Sequence, residues 1–224
     1  MRITIITIFP GMLDGFLRES MMKRAVDQGA VQFDFVDPRE FTTDVHRTVD
    51  DRPYGGGPGM VMKPDPLAAA IRSVHTANSR VIYLSPQGCP FTQSKAEMLA
   101  TASKHLILLC GHYEGVDERL IQRYVDEEIS IGDYVLTNGA LAATVVIDAT
   151  VRLIPGVLGG EGATEAESFT TGLLDFPQYT RPEEFEGLTV PDILKSGDHG
   201  KIAAWRHKQA LDRTRKRRPD LLDG

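Results

Sequence analysis

Three loops in this chain combine glycine with polar residues, and each follows an apolar run that is typical of a buried strand. The runs and loops are residues 81–84 before Ser85-Pro86-Gln87-Gly88, residues 106–110 before Gly111-His112-Tyr113-Glu114-Gly115, and residues 134–136 before Thr137-Asn138-Gly139. In an open α/β sheet, ligands lie beyond the carboxyl ends of the strands, where glycine lets main-chain groups approach them closely. The loops therefore predict one pocket that binds a planar or charged ligand through its backbone.

A fourth glycine-rich segment covers residues 50–60, with the sequence DDRPYGGGPGM. It lacks the Gly-Lys-Ser/Thr ending of a P-loop and the GxGxxG spacing of a dinucleotide-binding turn, which argues against phosphate binding by those two routes. Long irregular segments in compact domains are typically functional or disordered. We interpret this one as functional, with a rigid turn around Pro53 and Pro58 as the alternative.

The composition is that of a globular protein: 224 residues, 42% hydrophobic and 25% charged, enough for an α/β core and a smaller second unit. The two cysteines, Cys89 and Cys110, form neither a disulfide framework nor a CxxC pair, so we expect a reducing cytoplasm. The apolar run at residues 3–9 is too short to span a membrane, and we interpret it as the first buried strand.

The net charge of −6 hides an asymmetry. Residues 201–218 contain eight lysines or arginines and one acid, so this segment carries +7 and the rest of the chain −13. A basic helix on an acidic protein indicates a polyanionic partner such as nucleic acid. A solvated amphipathic helix is the alternative, and charge alone does not decide between them.

Hydrophobic periodicity predicts an α/β domain followed by a small helical unit. Predicted strands cover residues 2–9, 31–36, 81–84, 106–110 and 128–136. Predicted helices cover residues 13–28, 65–76, 92–104, 117–125 and 140–154, and a basic helix ends at Pro219. Arg152 lies in the apolar helix 140–154, where its side chain either reaches solvent at the helix end or serves as a fixed guanidinium in a site.

Five motifs in order along the chain carry a resemblance to a known family. They are residues 50–60, the run LSPQG at 84–88, CGHYEGVDER at 110–119, SIGDYVLT at 130–137 and IPGVL at 154–158. Over nearly the whole chain these resemble the bacterial tRNA (guanine-N1)-methyltransferases. The resemblance implies a SPOUT-type α/β fold, with helices on both faces of a parallel sheet, a deep trefoil knot, and a small all-α C-terminal domain.

Glycine, alanine and acidic residues at 159–168 indicate a flexible linker that divides the chain into two domains. The resemblance adds a homodimer whose active site lies at the subunit interface. We expect a cofactor-binding domain over residues 1–158, a flexible linker over 159–176 and a basic tRNA-binding domain over 177–224. The implied cofactor is S-adenosylmethionine. Its implied contacts are Tyr83, Leu84, Ser85, Pro86, Gly111, Tyr113, Glu114, Ile131, Gly132, Asp133, Tyr134, Val135, Leu136 and Gly139.

For the chemistry, the resemblance implies methyl transfer to N1 of the guanine immediately 3′ of the tRNA anticodon. The family's proton acceptor aligns with Glu167 and its arginine with Arg152. A base must remove the N1 proton, and a cation must stabilise the charge on O6. The residues expected to contact tRNA are Arg52, Ser168, Arg181, Trp205, Arg206 and Arg213.

The chain departs from the common family pattern near this site. Glu167 stands where aspartate is expected, His112 where arginine often occurs, and Asn138-Gly139-Ala140 where Gly-Gly-Glu is usual. These departures leave open a second hypothesis, a tRNA-binding protein without efficient catalysis. A nucleotide-dependent oxidoreductase is disfavoured because no GxGxxG follows a strand, and Cys110 is disfavoured as a covalent nucleophile because no partner for its thiol is evident.

Metal binding is the last open point. The acids Glu114 and Glu167 leave magnesium as a possible helper, but no ligand spacing indicates a tight site. The six histidines are scattered, which disfavours zinc.

Overall fold

The computed structural model describes residues 1–159 and 167–222. The chain divides into two compact units, Met1–Gly159 and Gly160–Gly224. The first contains β1 (Arg2–Ile6), α1 (Gly11–Leu17), α2 (Ser20–Asp27), β2 (Gln32–Val36), β3 (Asp50–Asp51), β4 (Val61–Met62), α3 (Pro64–Val74), β5 (Ser79–Pro90), α4 (Gln93–Ala102), β6 (His105–Cys110), α5 (Glu118–Tyr124), β7 (Glu127–Ser130) and α6 (Ala140–Val151). The second contains β8 (Glu184–Phe185), β9 (Leu188–Thr189), α7 (Asp192–Lys195) and α8 (His199–Arg217).

The first unit is built on a five-stranded parallel sheet with the strand order β2-β1-β6-β5-β7. All six residues of β6 are buried, because this central strand is covered on both faces. Leu106 and Leu108 pack into the core formed with α1, α2, α4 and α6, whereas Ile107 and Leu109 pack into the core formed with α3 and α5. The predicted α/β class, with a parallel sheet between helices, is confirmed.

The single helix predicted over residues 13–28 is wrong, since two helices occupy this stretch. Glu19 is extended, with φ −120° and ψ 162°, and Ser20 has φ 48°, so the chain turns between α1 and α2. The turn lets Leu17 of α1 and Met22 of α2 pack into the same core. The apolar periodicity that suggested one helix comes from two helices that cover one face of the sheet.

The last predicted strand is also shorter than expected. β7 ends at Ser130, and residues 134–136 form part of a loop. Gly132 has φ 150°, and the Ser130 hydroxyl donates to the Gly132 carbonyl at 3.1 Å, which turns the chain away from the sheet. Val135 is 84% exposed as a result.

The second unit is mainly helical but contains a hairpin that the all-α prediction missed. β8 pairs with β9 in antiparallel fashion around Glu186 and Gly187, whose φ angles are 50° and 80°. Two positive φ angles in a two-residue loop are the signature of a tight hairpin turn. α8 ends two residues before Pro219, as predicted. The predicted linker over residues 159–176 stays a prediction, and residues 160–166 of it lie outside the described part of the chain.

No helix within residues 1–159 and 167–222 has the length and apolar character needed to cross a membrane.

A buried histidine joins the amino ends of the central strands. The Nε2 atom of His105 lies 2.9 Å from the Thr4 hydroxyl, and its Nδ1 atom lies 2.7 Å from the Ser79 hydroxyl. Burial lowers the pKa of His105 below the ordinary 6.5, and the positive charge of Arg2 lowers it further. The folded protein therefore favours neutral imidazole at this position.

We predict that stability falls as the pH drops below 6.5, because the unfolded chain then takes up a proton at His105 that the folded chain resists. The free energy of unfolding in urea, measured at about pH 7.5 and about pH 5.5, should decrease less in His105→Gln than in the parent protein. An equal decrease in both proteins would show that His105 does not contribute to this acid sensitivity.

Candidate functional site

The carboxyl ends of β6 and β7 and a bulge within β5 lie at one level of the sheet. In the parallel register, Leu84 lies between Cys110 of β6 and Ile129 of β7. The three predicted loops leave the sheet from these positions and surround one cleft of about 200 Å³. The cleft is lined by Tyr83, Leu84, Ser85, Pro86, Gln87, Gly111, His112, Tyr113, Glu114, Gly115, Ile129, Ser130, Ile131, Gly132, Tyr134, Val135, Leu136, Thr137, Asn138, Gly139 and Ala142.

All of the predicted cofactor contacts except Asp133 are in this lining. The first loop, residues 85–88, is a bulge within β5, because both Leu84 and Cys89 pair with Ile129. Eight lining residues are not among the predicted contacts. Five of them lie in the three predicted loops, namely Gln87, His112, Gly115, Thr137 and Asn138, whereas Ile129, Ser130 and Ala142 lie outside these loops.

The second and third loops are pressed together through their main chains. The Gly139 N–H donates to the Gly111 carbonyl at 2.9 Å. A Cβ atom on Gly139 would lie 2.9 Å from the Cα atom of Cys110, and a Cβ on Gly111 would lie 3.0 Å from the Tyr83 ring. Only glycine fits at either position without displacement, so the cleft wall here presents backbone groups rather than side chains.

The second loop is fixed on its other side by the glycine-rich segment 50–60. The Glu114 N–H donates to the Met60 carbonyl at 3.0 Å. Gly59, with φ 80°, leaves room for Glu114, because a Cβ atom on this glycine would lie 2.2 Å from the carboxylate. The segment therefore packs against a loop of the cleft, and its functional interpretation stays a prediction.

Tyr113 occupies an unusual backbone conformation between these loops. Its φ is 59° and its side chain is half exposed. Burial and the nearby carboxylate of Asp50 raise the pKa of this tyrosine. A non-glycine residue at positive φ is uncommon and typically occurs where function or packing demands it.

His112 is a lining residue to which the sequence assigned no role. Its side chain is buried, its ring lies 4.9 Å from that of Phe9, and burial lowers its pKa. Its Nε2 atom has no hydrogen-bond partner among the described residues. In the sequence, its position directly after Gly111 in the second predicted loop is the feature that indicates His112 as a lining residue.

Cys110 is fully buried at the end of β6, and burial raises the pKa of its thiol to about 12. A thiol of this kind is almost entirely protonated at neutral pH and is a poor nucleophile. The structure therefore argues against covalent catalysis by Cys110.

The two predicted catalytic residues lie in different units. Arg152 follows α6 directly in helical conformation, and its side chain is half-buried. Glu167 is the first described residue of the second unit, is also half-buried, and accepts the Thr170 N–H at its main-chain carbonyl at 3.3 Å.

The predicted tRNA contacts are divided in the same way, with Arg52 exposed in the first unit and the others in the second. Arg181 is exposed. The ring centroid of Trp205 lies 6.4 Å from that of Tyr179. The remaining three make internal contacts. These are Ser168 with the Asp175 N–H at 2.9 Å, Arg213 with the Asp175 carbonyl at 3.2 Å, and Arg206 with the Phe176 ring at 4.8 Å.

Within residues 1–159 and 167–222, no group of three or more histidine, cysteine, aspartate or glutamate side chains is placed to hold a metal ion. The cleft instead combines main-chain groups with Tyr83, Ile131 and Leu136. This combination suits a flat heteroaromatic ring, whose edge needs donors and acceptors and whose faces need apolar contact.

Comparison with known proteins gives one consistent result. The profile of the family described as "tRNA (Guanine-1)-methyltransferase TrmD" matches residues 1–224. The chain is 57% identical to the tRNA (guanine-N(1)-)-methyltransferase of Geobacillus kaustophilus, with 100% of this chain and 92% of that protein covered. It is 55% identical to the protein of that name in Protochlamydia amoebophila, with 99% and 100% covered. The corresponding protein of Staphylococcus carnosus is 53% identical, with 99% and 91% covered.

We predict that Gly139→Ala destabilises the first unit by about 1–3 kcal/mol, because the added methyl group overpacks the contact with Cys110. Urea unfolding monitored by circular dichroism gives the change. Gly15→Ala is the control, since a Cβ atom on this exposed glycine in α1 would have no atom within 4 Å apart from its chain neighbours and the backbone of its own helix. If Gly139→Ala were as stable as the control, the two loops would be less tightly apposed than described.

Proposed function

The chain belongs to the tRNA (guanine-1)-methyltransferase family and is a tRNA (guanine-N1)-methyltransferase, and we propose how its residues carry out that reaction. The proposed methyl donor is S-adenosylmethionine, bound in the strand-end cleft. The proposed target is N1 of the guanine immediately 3′ of the anticodon. The single observation that supports the cleft assignment is the convergence of the three loops around it.

The cleft fits the donor in two respects. Gly111 and Gly139 bring main-chain groups to its wall, which supports recognition of the adenine edge. The loop at residues 131–136 places the apolar side chains of Ile131 and Leu136 beside them, for the faces of the ring. S-adenosylmethionine supplies a methyl group activated by the positive sulfonium.

Two residues are assigned the proton chemistry. Guanine N1 is protonated at neutral pH, and the Glu167 carboxylate removes this proton. The Arg152 guanidinium stabilises the negative charge that then forms on O6. The N1 lone pair is then free to form the N–CH₃ bond as the methyl–sulfur bond breaks. The remaining contribution of the protein is alignment of the two reactants and exclusion of water.

A homodimer with the active site at the subunit interface is part of the proposal. Leu141 and Val145 on the apolar helix α6 are 50% and 45% exposed. Residues spaced by three or four positions share one face of a helix, so Asp148 and Arg152 continue this line. This face of α6 therefore presents two exposed apolar side chains next to the proposed catalytic arginine. Its apolar character supports a second copy of the chain as the partner that covers it. We also propose that the apposed second and third loops belong to a SPOUT-type trefoil knot.

We propose that the second unit binds tRNA through phosphate contacts of α8. Its basic residues are mostly exposed, and the segment 201–218 carries +7. Such contacts supply affinity without reading sequence, and they weaken as salt is added. Arg52, Arg181 and Trp205 remain proposed RNA contacts, and the reaction is assigned to the cytoplasm. The help from magnesium that the sequence left open stays a prediction.

The proposed target is tested with labelled S-adenosylmethionine and two unmodified tRNA transcripts that differ only at the guanine after the anticodon. We expect label to accumulate with time only in the transcript that has this guanine. Equal labelling of both transcripts would place the methylated guanine elsewhere. Absence of label from both, with the donor still bound, would contradict efficient catalysis.

We predict that Arg152→Ala lowers the single-turnover rate by at least about 100-fold, since a preorganised charge on the developing oxyanion is lost. Binding of S-adenosylmethionine, measured by calorimetry, should change little, because Arg152 is not in the cleft lining. Arg72→Ala is the matched control, since the Arg72 guanidinium donates to the Tyr124 hydroxyl at 2.7 Å and Arg72 is not in the cleft lining. An unchanged rate in Arg152→Ala would remove this residue from the mechanism.

A further inference from the structure

The turn that follows Glu167 is fastened to the basic helix α8 by side-chain hydroxyls. The Thr214 hydroxyl accepts the Leu174 N–H at 2.8 Å and donates to the Ala210 carbonyl at 2.8 Å. Thr214 is fully buried although it lies among exposed basic residues of α8. Both hydrogen-bonding functions of this hydroxyl are used, so it joins two segments rather than facing solvent.

A second hydroxyl closes the same turn from the other side. The Ser168 hydroxyl accepts the Asp175 N–H at 2.9 Å, and Arg213 donates to the Asp175 carbonyl at 3.2 Å. Within the turn, the Phe169 N–H donates to the Leu173 carbonyl at 2.8 Å. Residues 168–175 therefore form a closed loop, and we refer to them as the anchored turn.

The backbone of the anchored turn requires this support. Phe169 has φ 77°, a conformation that is strained for a non-glycine residue of this size. Gly172 has φ 76° and completes the reversal. Such a conformation persists only when the surrounding contacts determine it. The contacts here include those with Thr214, Ser168 and Arg213, and the Arg218 guanidinium lies over the Phe169 ring at 5.9 Å.

We propose that Thr214 is a positioning residue for methyl transfer, because its hydroxyl holds the anchored turn on α8 and thereby sets the place of Glu167. The inference depends on the proposed function, in which Glu167 is the base. Under this inference Thr214 contacts neither reactant and affects the rate only through the position of Glu167. It also links tRNA contacts of α8 directly to the segment that carries the base, since both are held by neighbouring residues of one helix.

The decisive variant is Thr214→Val, which keeps the shape of the side chain and removes both hydrogen bonds. At saturating tRNA and S-adenosylmethionine, we expect the single-turnover rate to fall by about 10- to 100-fold, the size of effect that a misplaced catalytic group produces. The dissociation constants for both reactants should change less than about threefold, because no part of Thr214 is exposed to contact a ligand. Thr214→Ser, which retains the hydroxyl, should restore most of the rate.

The pH dependence separates a positioning role from general damage. Raising the pH ionises guanine N1 without help from the protein, so the defect of Thr214→Val should shrink as the pH rises. The same trend is expected for Glu167→Gln. Thr101→Val is the matched control, because Thr101 donates to the Glu97 carbonyl at 2.8 Å within helix α4 of the first unit, and its rate should equal that of the parent.

The outcomes are distinguishable. If Glu167→Gln loses activity while Thr214→Val matches the parent, the inference is wrong and the proposed function stands. If Glu167→Gln keeps full activity, the assigned base is wrong and the inference fails with it. Should Thr214→Val fail to fold, Ser168→Ala decides the question, since it releases the Asp175 N–H without altering α8. A defect in either variant that is equally large at every pH would also overturn the inference.

Discussion

The parallel register of β5, β6 and β7 is the constraint on which the rest of the first unit depends. It sets Leu84, Cys110 and Ile129 side by side, so three loops that are distant in sequence begin at neighbouring points. A shift of one residue would turn every side chain of a strand to the opposite face and expose part of the core. The burial of β6 on both faces therefore also determines where the cleft forms.

The second unit depends on side-chain hydrogen bonds for part of its structure. Its small size limits the apolar core that it can bury, and most of the residues in α8 are exposed. Thr214, Ser168 and Arg213 hold the anchored turn where apolar packing is thin. Arg213 was expected to contact tRNA, yet it donates a hydrogen bond to the Asp175 carbonyl inside the protein. A loss of activity on its substitution can therefore come from a change in structure as well as from a lost tRNA contact.

Much of the fold follows from the sequence because the signals are local. The apolar run at residues 106–110 and the helix before Pro219 were predicted from composition and terminators alone. The failures have physical causes. Periodicity cannot separate one helix from two that share a buried face, which explains the error at Glu19. The apolar residues near Val135 predicted a strand, but these residues line the cleft instead of packing in the sheet. The approach of Gly139 to Gly111 depends on tertiary structure and leaves no local signal.

The main-chain character of the cleft wall has an evolutionary consequence. Contacts made by N–H and C=O groups do not change when a side chain is replaced, and at Gly111 and Gly139 almost any replacement meets a steric clash. Single substitutions therefore have few ways to alter this wall without damaging the fold itself. A small molecule that depended mainly on these main-chain groups would leave few routes to resistance by point mutation, whereas one that depended on exposed side chains such as Tyr134 would leave many.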